Sequence, residues 1–284
     1  MTTTAEKTAA PALSDTPQRA EIRALLAGSE QDTDPTAWGS VRAFTWRALL
    51  RIKHVPAQLV DVTIWPVVML VLFTLMFGGA IAGTTGDYIQ YLLPGMLVMT
   101  IVMITMYTGI SVANDNSKGV SDRFRTLPIW RPAPMVGFLL ADAVRYTVAG
   151  AFMLVTGLIM GYRPEGGAGG VLLGTAVVLA FSFCVSWIWT WIGLIVSNEK
   201  TVMSISTTVL FPLTFLSSIM VDPSTMPSWL EPVVANTPIS NLADSVRGFF
   251  TGEFDATATL LTAAWSAALL VVFGSLTLRA YNRS

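Results

Sequence analysis

The chain has 284 residues, 53% of them hydrophobic and only 12% charged, with a mean hydropathy of +0.60. A charged fraction about half the roughly 25% usual in soluble domains excludes an ordinary water-soluble globule and points to repeated membrane crossing. The formal net charge of -1 says little as a sum, so the information lies in where the charges fall.

Residues 1–35 mix Thr, Ala, Pro and acids with little apolar periodicity and no compact hydrophobic stretch ending in a cleavage site. They are expected to form a mobile cytosolic tail without a removable signal peptide. The transmembrane domain is expected to occupy residues 36–284 as a single unit. It opens with "WGSVRAFTWRALLRIKHV", in which Trp38, Val41, Phe44, Thr45, Ala48, Leu49 and Ile52 fall on one helical arc and Arg47, Arg51 and His54 lie opposite. That pattern predicts an amphipathic helix lying in the membrane plane, its cations toward anionic lipid.

Six stretches are long and apolar enough to cross a hydrocarbon core of about 30 Å: approximately residues 62–82, 91–113, 138–160, 171–196, 202–220 and 260–278. The predicted fold class is therefore an all-α polytopic membrane protein with six transmembrane helices. In the second span Met99, Met103 and Met106 recur three or four apart, giving one soft face that either adapts to varied apolar shapes or packs as ordinary core. Asp142 and Arg145 share a face near the start of the third span. Ionisable groups at membrane depth are costly alone, and this pair can neutralise itself, as an interfacial ion pair steadying the span against the preceding loop or as part of an ion-coupling path. The fourth span holds Trp187, Trp189 and Trp191, read as interface-belt packing. In the fifth, Ser204, Ser206, Thr207 and Thr208 suit helix contact or a polar pathway.

The loops sort by charge. Arg42, Arg47, Arg51 and Lys53 precede the first span, Lys118, Arg123, Arg125 and Arg131 fill 114–136, Lys200 separates spans four and five, and Arg279 and Arg283 close the chain. The alternate loops hold only Arg163 and Arg247 as cations, which predicts a cell-membrane protein with both termini cytoplasmic. The outer loop, residues 221–256, is too short to cross twice and is expected to form two re-entrant half-helices. Thr237, Pro238 and Gly252 punctuate the second as N-cap, first helical residue and C-terminal stop, and Asp244 can pair with Arg247.

Several chemistries have no residues to run them. The sequence contains no GxxxxGK[ST] phosphate loop, no HExxH and no GxSxG, and its one histidine and one cysteine, His54 and Cys184, rule out a conventional catalytic cluster or an intrachain disulfide. No metal site is expected, and nucleic-acid binding is not, because the cations follow membrane sidedness.

Three passages, "DNSKGVSDRFRTLPIWRPAPMVGFLLAD" (115–142), "YLLPGMLV" (91–98) and "MPSWLEPVVANTPISNLADSVRGFFTG" (226–252), together resemble the permease subunit of the type-two class of ABC exporters, in its daunorubicin-resistance-type branch. The resemblance implies a coupling helix within the loop 114–136 that enters a cleft of a separate ATPase subunit. Lys118, Arg123 and Arg125 would supply charge at that interface and Phe124 and Leu127 an apolar anchor, with Pro128, Pro132 and Pro134 stiffening the route to the third span. It further implies a complex of two permeases, as a homodimer, with two ATPase subunits that carry the ATP and magnesium. The second and fifth spans would then line the route of an amphipathic drug-like or lipid-like substrate, through Met99, Met103, Met106 and Thr207. An ion-coupled secondary transporter is the alternative.

Overall fold

The computed structural model describes residues 36–54, 56–119 and 133–283, and among them every regular element is helical. In chain order these are α1 (Ala37–His54), α2 (Pro56–Ala82), α3 (Thr85–Ile104), α4 (Met106–Ser117), α5 (Ala133–Ile159), α6 (Gly167–Ile195), α7 (Glu199–Phe215), the short α8 (Glu231–Ala235), α9 (Pro238–Thr251) and α10 (Ala256–Arg283). The expected tail, residues 1–35, lies outside the described residues.

Five candidate membrane spans follow by length and composition: Val62–Ala82, Thr85–Ser117, Ala133–Ile159, Gly167–Ile195 and Ala256–Tyr281. They coincide with five of the six predicted stretches, most of them extended by several residues at one or both ends. The remaining stretch, 202–220, differs. Its helix α7 has 17 residues, about 25 Å at 1.5 Å per residue, and stops at Phe215. The physical reason is local. Pro212 sits in its last turn, and the hydroxyls of Thr214 and Ser217 donate to the carbonyls of Leu210 and Thr214 at 2.8 and 2.5 Å, so the last carbonyls have partners other than a continuing helix.

The chain then makes a non-helical turn over residues 216–220, and Arg247 of α9 organises it. The Arg247 Nη2 donates to the carbonyls of Ser218 and Ile219 at 2.6 and 3.0 Å, while Nη1 meets Asp244 Oδ1 at 2.8 Å. Its guanidinium lies 3.9 Å over the Tyr91 ring of α3, and the Tyr91 hydroxyl donates to the same Ser218 carbonyl at 2.7 Å. The Ser218 amide donates to Ser240 Oγ at 2.9 Å. Room for the turn comes from Gly95, where a Cβ would sit 2.5 Å from the Ile219 carbonyl oxygen.

Helix α9 begins and ends as its residues dictate. Thr237 accepts from the Ser240 amide, Pro238 occupies the first turn, and Gly252 takes φ 84° after the last residue. It is seated on α6 through glycines one turn apart. A Cβ at Gly166 or Gly170 would collide with the Phe249 carbonyl, one at Gly174 with the Phe250 ring, and the Gly166 amide donates to the Phe250 carbonyl at 2.9 Å. Asp222, ahead of the loop's 3-10 turn, accepts from the Ser224 amide at 2.9 Å, which holds its carboxyl below the ordinary carboxylate range.

Helix α6 is the centre of the bundle, with α10, α4 and α9 packed around it, while α3 joins α2, α5 and α9. The α4–α6 crossing is closest at Gly109 and Gly193: a Cβ on Gly109 would be 2.5 Å from the Trp189 carbonyl, and one on Gly193 would strike the Gly109 carbonyl. Trp189 is fully buried there and donates from Nε1 to Thr105 Oγ1 at 2.9 Å. It is a crossing residue, not the interface-belt aromatic that its sequence position suggested. Helix α1 packs along the start of α5, with Val41 and Ala48 buried and Phe44 against Gly137.

Two predictions follow from this packing. Arg247→Ala leaves the Ser218 and Ile219 carbonyls without their donor, and it should cost about 1–3 kcal/mol, seen as a lowered thermal midpoint in detergent; an unchanged midpoint would remove the turn's dependence on Arg247. Gly193→Ala should destabilise by about 1–3 kcal/mol through overpacking, whereas Gly79→Ala, whose Cβ would meet nothing within 4 Å, should be neutral or slightly stabilising in the same assay.

Candidate functional site

A groove of about 360 Å³ opens between α2, the α3–α4 span and α7. Its walls include Met99, Met103, Met106 and Thr207, so the two spans singled out from the sequence meet at one place. The geometry arises from the break between α3 and α4. At Thr105 the amide bonds back to the Val102 carbonyl at 3.2 Å and the hydroxyl to the same oxygen at 2.6 Å, a tightened turn across which Met99, Met103 and Met106 all reach the groove.

The groove also has walls that sequence reasoning passed over. Trp65, Met69 and Phe73 line it from α2, Met96 and Tyr107 from the α3–α4 span, and Phe211 and Phe215 from α7. The i, i+4, i+8 spacing of Trp65, Met69 and Phe73 was the available signal for α2. Polar atoms are few there, and Thr100, Tyr107 and Thr207 supply them. Thr207 is exposed, its hydroxyl donating to the Met203 carbonyl at 2.9 Å. Chemically the site can hold an apolar or aromatic body against adaptable thioethers and rings, with few fixed hydrogen bonds to impose one shape.

Immediately behind the groove lies the ion pair. Arg145 Nη1 is 2.9 Å from Asp142 Oδ1, and both side chains are 5% exposed. Thr108 of α4 donates to the other Asp142 oxygen, Tyr146 OH is 3.3 Å from Thr108 Oγ1 and 2.8 Å from Ser186 Oγ of α6, and the Arg145 guanidinium lies 5.6 Å from the centre of the Tyr107 ring. The described contacts of the pair outside its own helix are therefore to Thr108 and Tyr107 of α4, and Tyr146 extends the network to α6. Tyr107 joins the two features, because it both lines the groove and faces Arg145.

Of the proposed coupling residues, Lys118 is exposed at the end of α4, followed by Gly119 at φ 64°. Arg123, Phe124, Arg125 and Leu127 lie outside the described residues. The base of α4 is held from two sides. Asn116 Nδ2 donates to the Leu194 carbonyl at 3.2 Å and to Ser197 Oγ at 3.3 Å, at the end of α6, and Arg47 of α1 lies 3.6 Å from the buried Asp115.

Comparison with known proteins places the sequence in a family. The ABC-2 type transporter family matches residues 39–251. Over 269 residues, 95% of each chain, the protein is 41% identical to "Daunorubicin resistance ABC transporter permease protein DrrB1" of Streptomyces coeruleorubidus. It is 22% identical over 246 residues to "Probable doxorubicin resistance ABC transporter permease protein DrrC" of Mycobacterium tuberculosis, covering 84% of this chain and 89% of that one. The same organism's "Doxorubicin resistance ABC transporter permease protein DrrB" is 23% identical over 188 residues, 66% of this chain and 64% of its own. An ion-coupled secondary transporter is set aside. The chain belongs to the ABC-2 type transporters, in the branch of the daunorubicin-resistance permeases: it is the membrane-spanning subunit of an ABC exporter whose ATPase is a separate protein.

Proposed function

We propose that two copies of this chain and two ATPase subunits form a cell-membrane exporter for amphipathic, drug-like or lipid-like molecules, with the methionine-lined groove as each permease's wall of the route. The observation that carries this reading is the convergence of Met99, Met103, Met106 and Thr207 on one groove whose floor helix, α4, runs directly into the loop that follows Ser117. The relatives named for daunorubicin and doxorubicin resistance suggest a planar aromatic body with a polar end. Such a molecule suits rings and thioethers with a few hydroxyls at the rim. ATP and magnesium belong to the partner, since this sequence has no phosphate loop.

In this assembly α7 is the sixth span. Its 17 helical residues fall a little short of a core of about 30 Å, and the turn at 216–220, satisfied from within the protein by Arg247 and Tyr91, completes the crossing. Both termini are then cytoplasmic, and Lys118, Arg123, Phe124, Arg125 and Leu127 face the ATPase. Asp142 and Arg145 serve as a neutral buried strut between α5 and α4.

Two measurements test the reading. Arg125→Glu should leave expression and membrane folding intact and lower both drug efflux and substrate-stimulated ATP hydrolysis about tenfold, the effect of losing roughly 1.4 kcal/mol at the subunit interface; wild-type efflux would remove the coupling role. Met103→Trp narrows the groove and should raise the drug concentration for half-maximal transport about tenfold, with ATPase association unchanged in a pull-down. Unaltered transport across several drugs would place the route elsewhere.

A further inference from the structure

Helix α1 carries an exposed stripe that neither the groove nor the coupling loop uses. Trp38, Arg42 and Trp46 stand at i, i+4, i+8 and so share a face. The two indoles are 75% and 63% exposed. Together with Leu49 and with Leu140 of α5 they line a groove of about 730 Å³.

Its depth can be read from its neighbours. Phe44 of α1 rests on Gly137, and Leu140 is one turn further along α5, within the first two turns of that membrane helix. At its other end α1 leads toward α2, whose apolar span begins at Val62. The stripe therefore lies at a membrane boundary, on the side of the bundle where the loop after Ser117 leaves it. Tryptophans at that level place an apolar body in the acyl region and an N–H among headgroups.

The cations of α1 are not equivalent. Arg47 is directed to the buried Asp115 at 3.6 Å, whereas Arg42 is exposed between the two indoles and has no carboxylate partner among the described residues. A guanidinium presents a planar fork of donors that matches a phosphate, and a neighbouring apolar groove provides a bed for a chain. We propose that α1 and the start of α5 form a binding site for an anionic phospholipid, its phosphate on Arg42 between Trp38 and Trp46 and an acyl chain along Leu49 and Leu140. A lipid fits better than a protein partner because one wall of the groove belongs to a membrane span. The single cation is also framed by the residues that favour the headgroup layer.

The test uses the full chain in mild detergent, exchanged into an equimolar mixture of phosphatidylglycerol and phosphatidylcholine, with bound lipid counted by native mass spectrometry. The wild type should retain phosphatidylglycerol about tenfold over phosphatidylcholine. Arg42→Gln should lower that ratio severalfold, Arg42→Lys should fall between, and Trp38→Ala with Trp46→Ala should reduce retention of both lipids. Arg163→Gln, a cation of a different loop, should leave the ratio unchanged. Thermal midpoints in detergent alone, equal to wild type, confirm that each variant is folded. Equal retention of the two lipids by the wild type, or an undiminished ratio in Arg42→Gln, would overturn the proposal. So would inorganic phosphate protecting the protein as well as phosphatidylglycerol does, which makes the site a free-anion site. Loss of a dimer in the tryptophan variant with lipid retention intact would also overturn it, by showing a contact between copies.

Discussion

The turn at residues 216–220 is closed chiefly by Arg247, which supplies donors to its carbonyls where the helix has ended. Non-helical backbone at membrane depth is tolerated where protein groups replace the missing hydrogen bonds, since hydrocarbon offers none. Here one guanidinium accounts for the carbonyls of Ser218 and Ile219, a tyrosine hydroxyl for a second bond to Ser218, and a serine for its amide. Because Arg247 is on α9, Tyr91 on α3 and the turn at the end of α7, the same contact fixes three elements relative to one another. It ties the turn after α7 to α9 and to α3. The groove between α3 and α7 inherits its width from that arrangement.

The opposite half of the bundle is organised by proximity instead of charge. Helices in lipid gain little from hiding apolar surface, so association depends on close packing and on hydrogen bonds between helices. Gly109 and Gly193 permit backbone contact between α4 and α6, and the contact brings Trp189 Nε1 to Thr105. Thr108, three residues past Thr105, then bonds Asp142. A buried charge pair is tolerable when its remaining polar atoms are met: Thr108 meets Asp142, and Tyr146 and Ser186 extend the network across three helices, while Arg145 Nε has no hydrogen-bond partner among the described residues. Removing either member of the pair would leave the other charged and buried, which is far costlier than the pair itself.

Much of this was legible in the chain. Five of the six predicted stretches are long apolar helices, and Thr237, Pro238 and Gly252 bound α9 as their conformational preferences require. The methionine face was visible as a period, and the presence of Thr207 across from it followed from the family likeness. What the sequence could not give was anything set by contacts between distant segments. Arg247 read as a partner for Asp244 three residues away, but most of its bonds go to residues 28 and 29 positions back. Tyr91 and Gly95 were noticed as parts of a motif, and their reasons, a ring beneath the guanidinium and space for the Ile219 carbonyl, exist only in three dimensions. The end of α7 at Phe215 was misjudged because hydropathy continues through Ile219 and Met220 while hydrogen bonding does not. The apolar arc of α1 is legible as a helical period, but which of its residues, Val41 and Ala48, pack on α5 depends on a neighbour that the period does not contain.

These two halves meet in α4. One end of the bundle is a dense set of charge-assisted bonds centred on Arg247, and such bonds resist stretching. At the other end α4 is held at its base by Asn116 to the end of α6 and by Asp115 to Arg47 of α1 at 3.6 Å. Between them the helix is interrupted at Thr105, where α3 stops and α4 starts. A force applied beyond Ser117 therefore acts first on α4, whose base bonds to the end of α6 and faces Arg47 of α1. Tyr107 and Thr108 lie just past Thr105, one lining the groove and the other bonded to Asp142. Because Tyr107 and Thr108 are neighbours on one helix, any displacement of α4 acts on the groove wall and on the ion-pair network together.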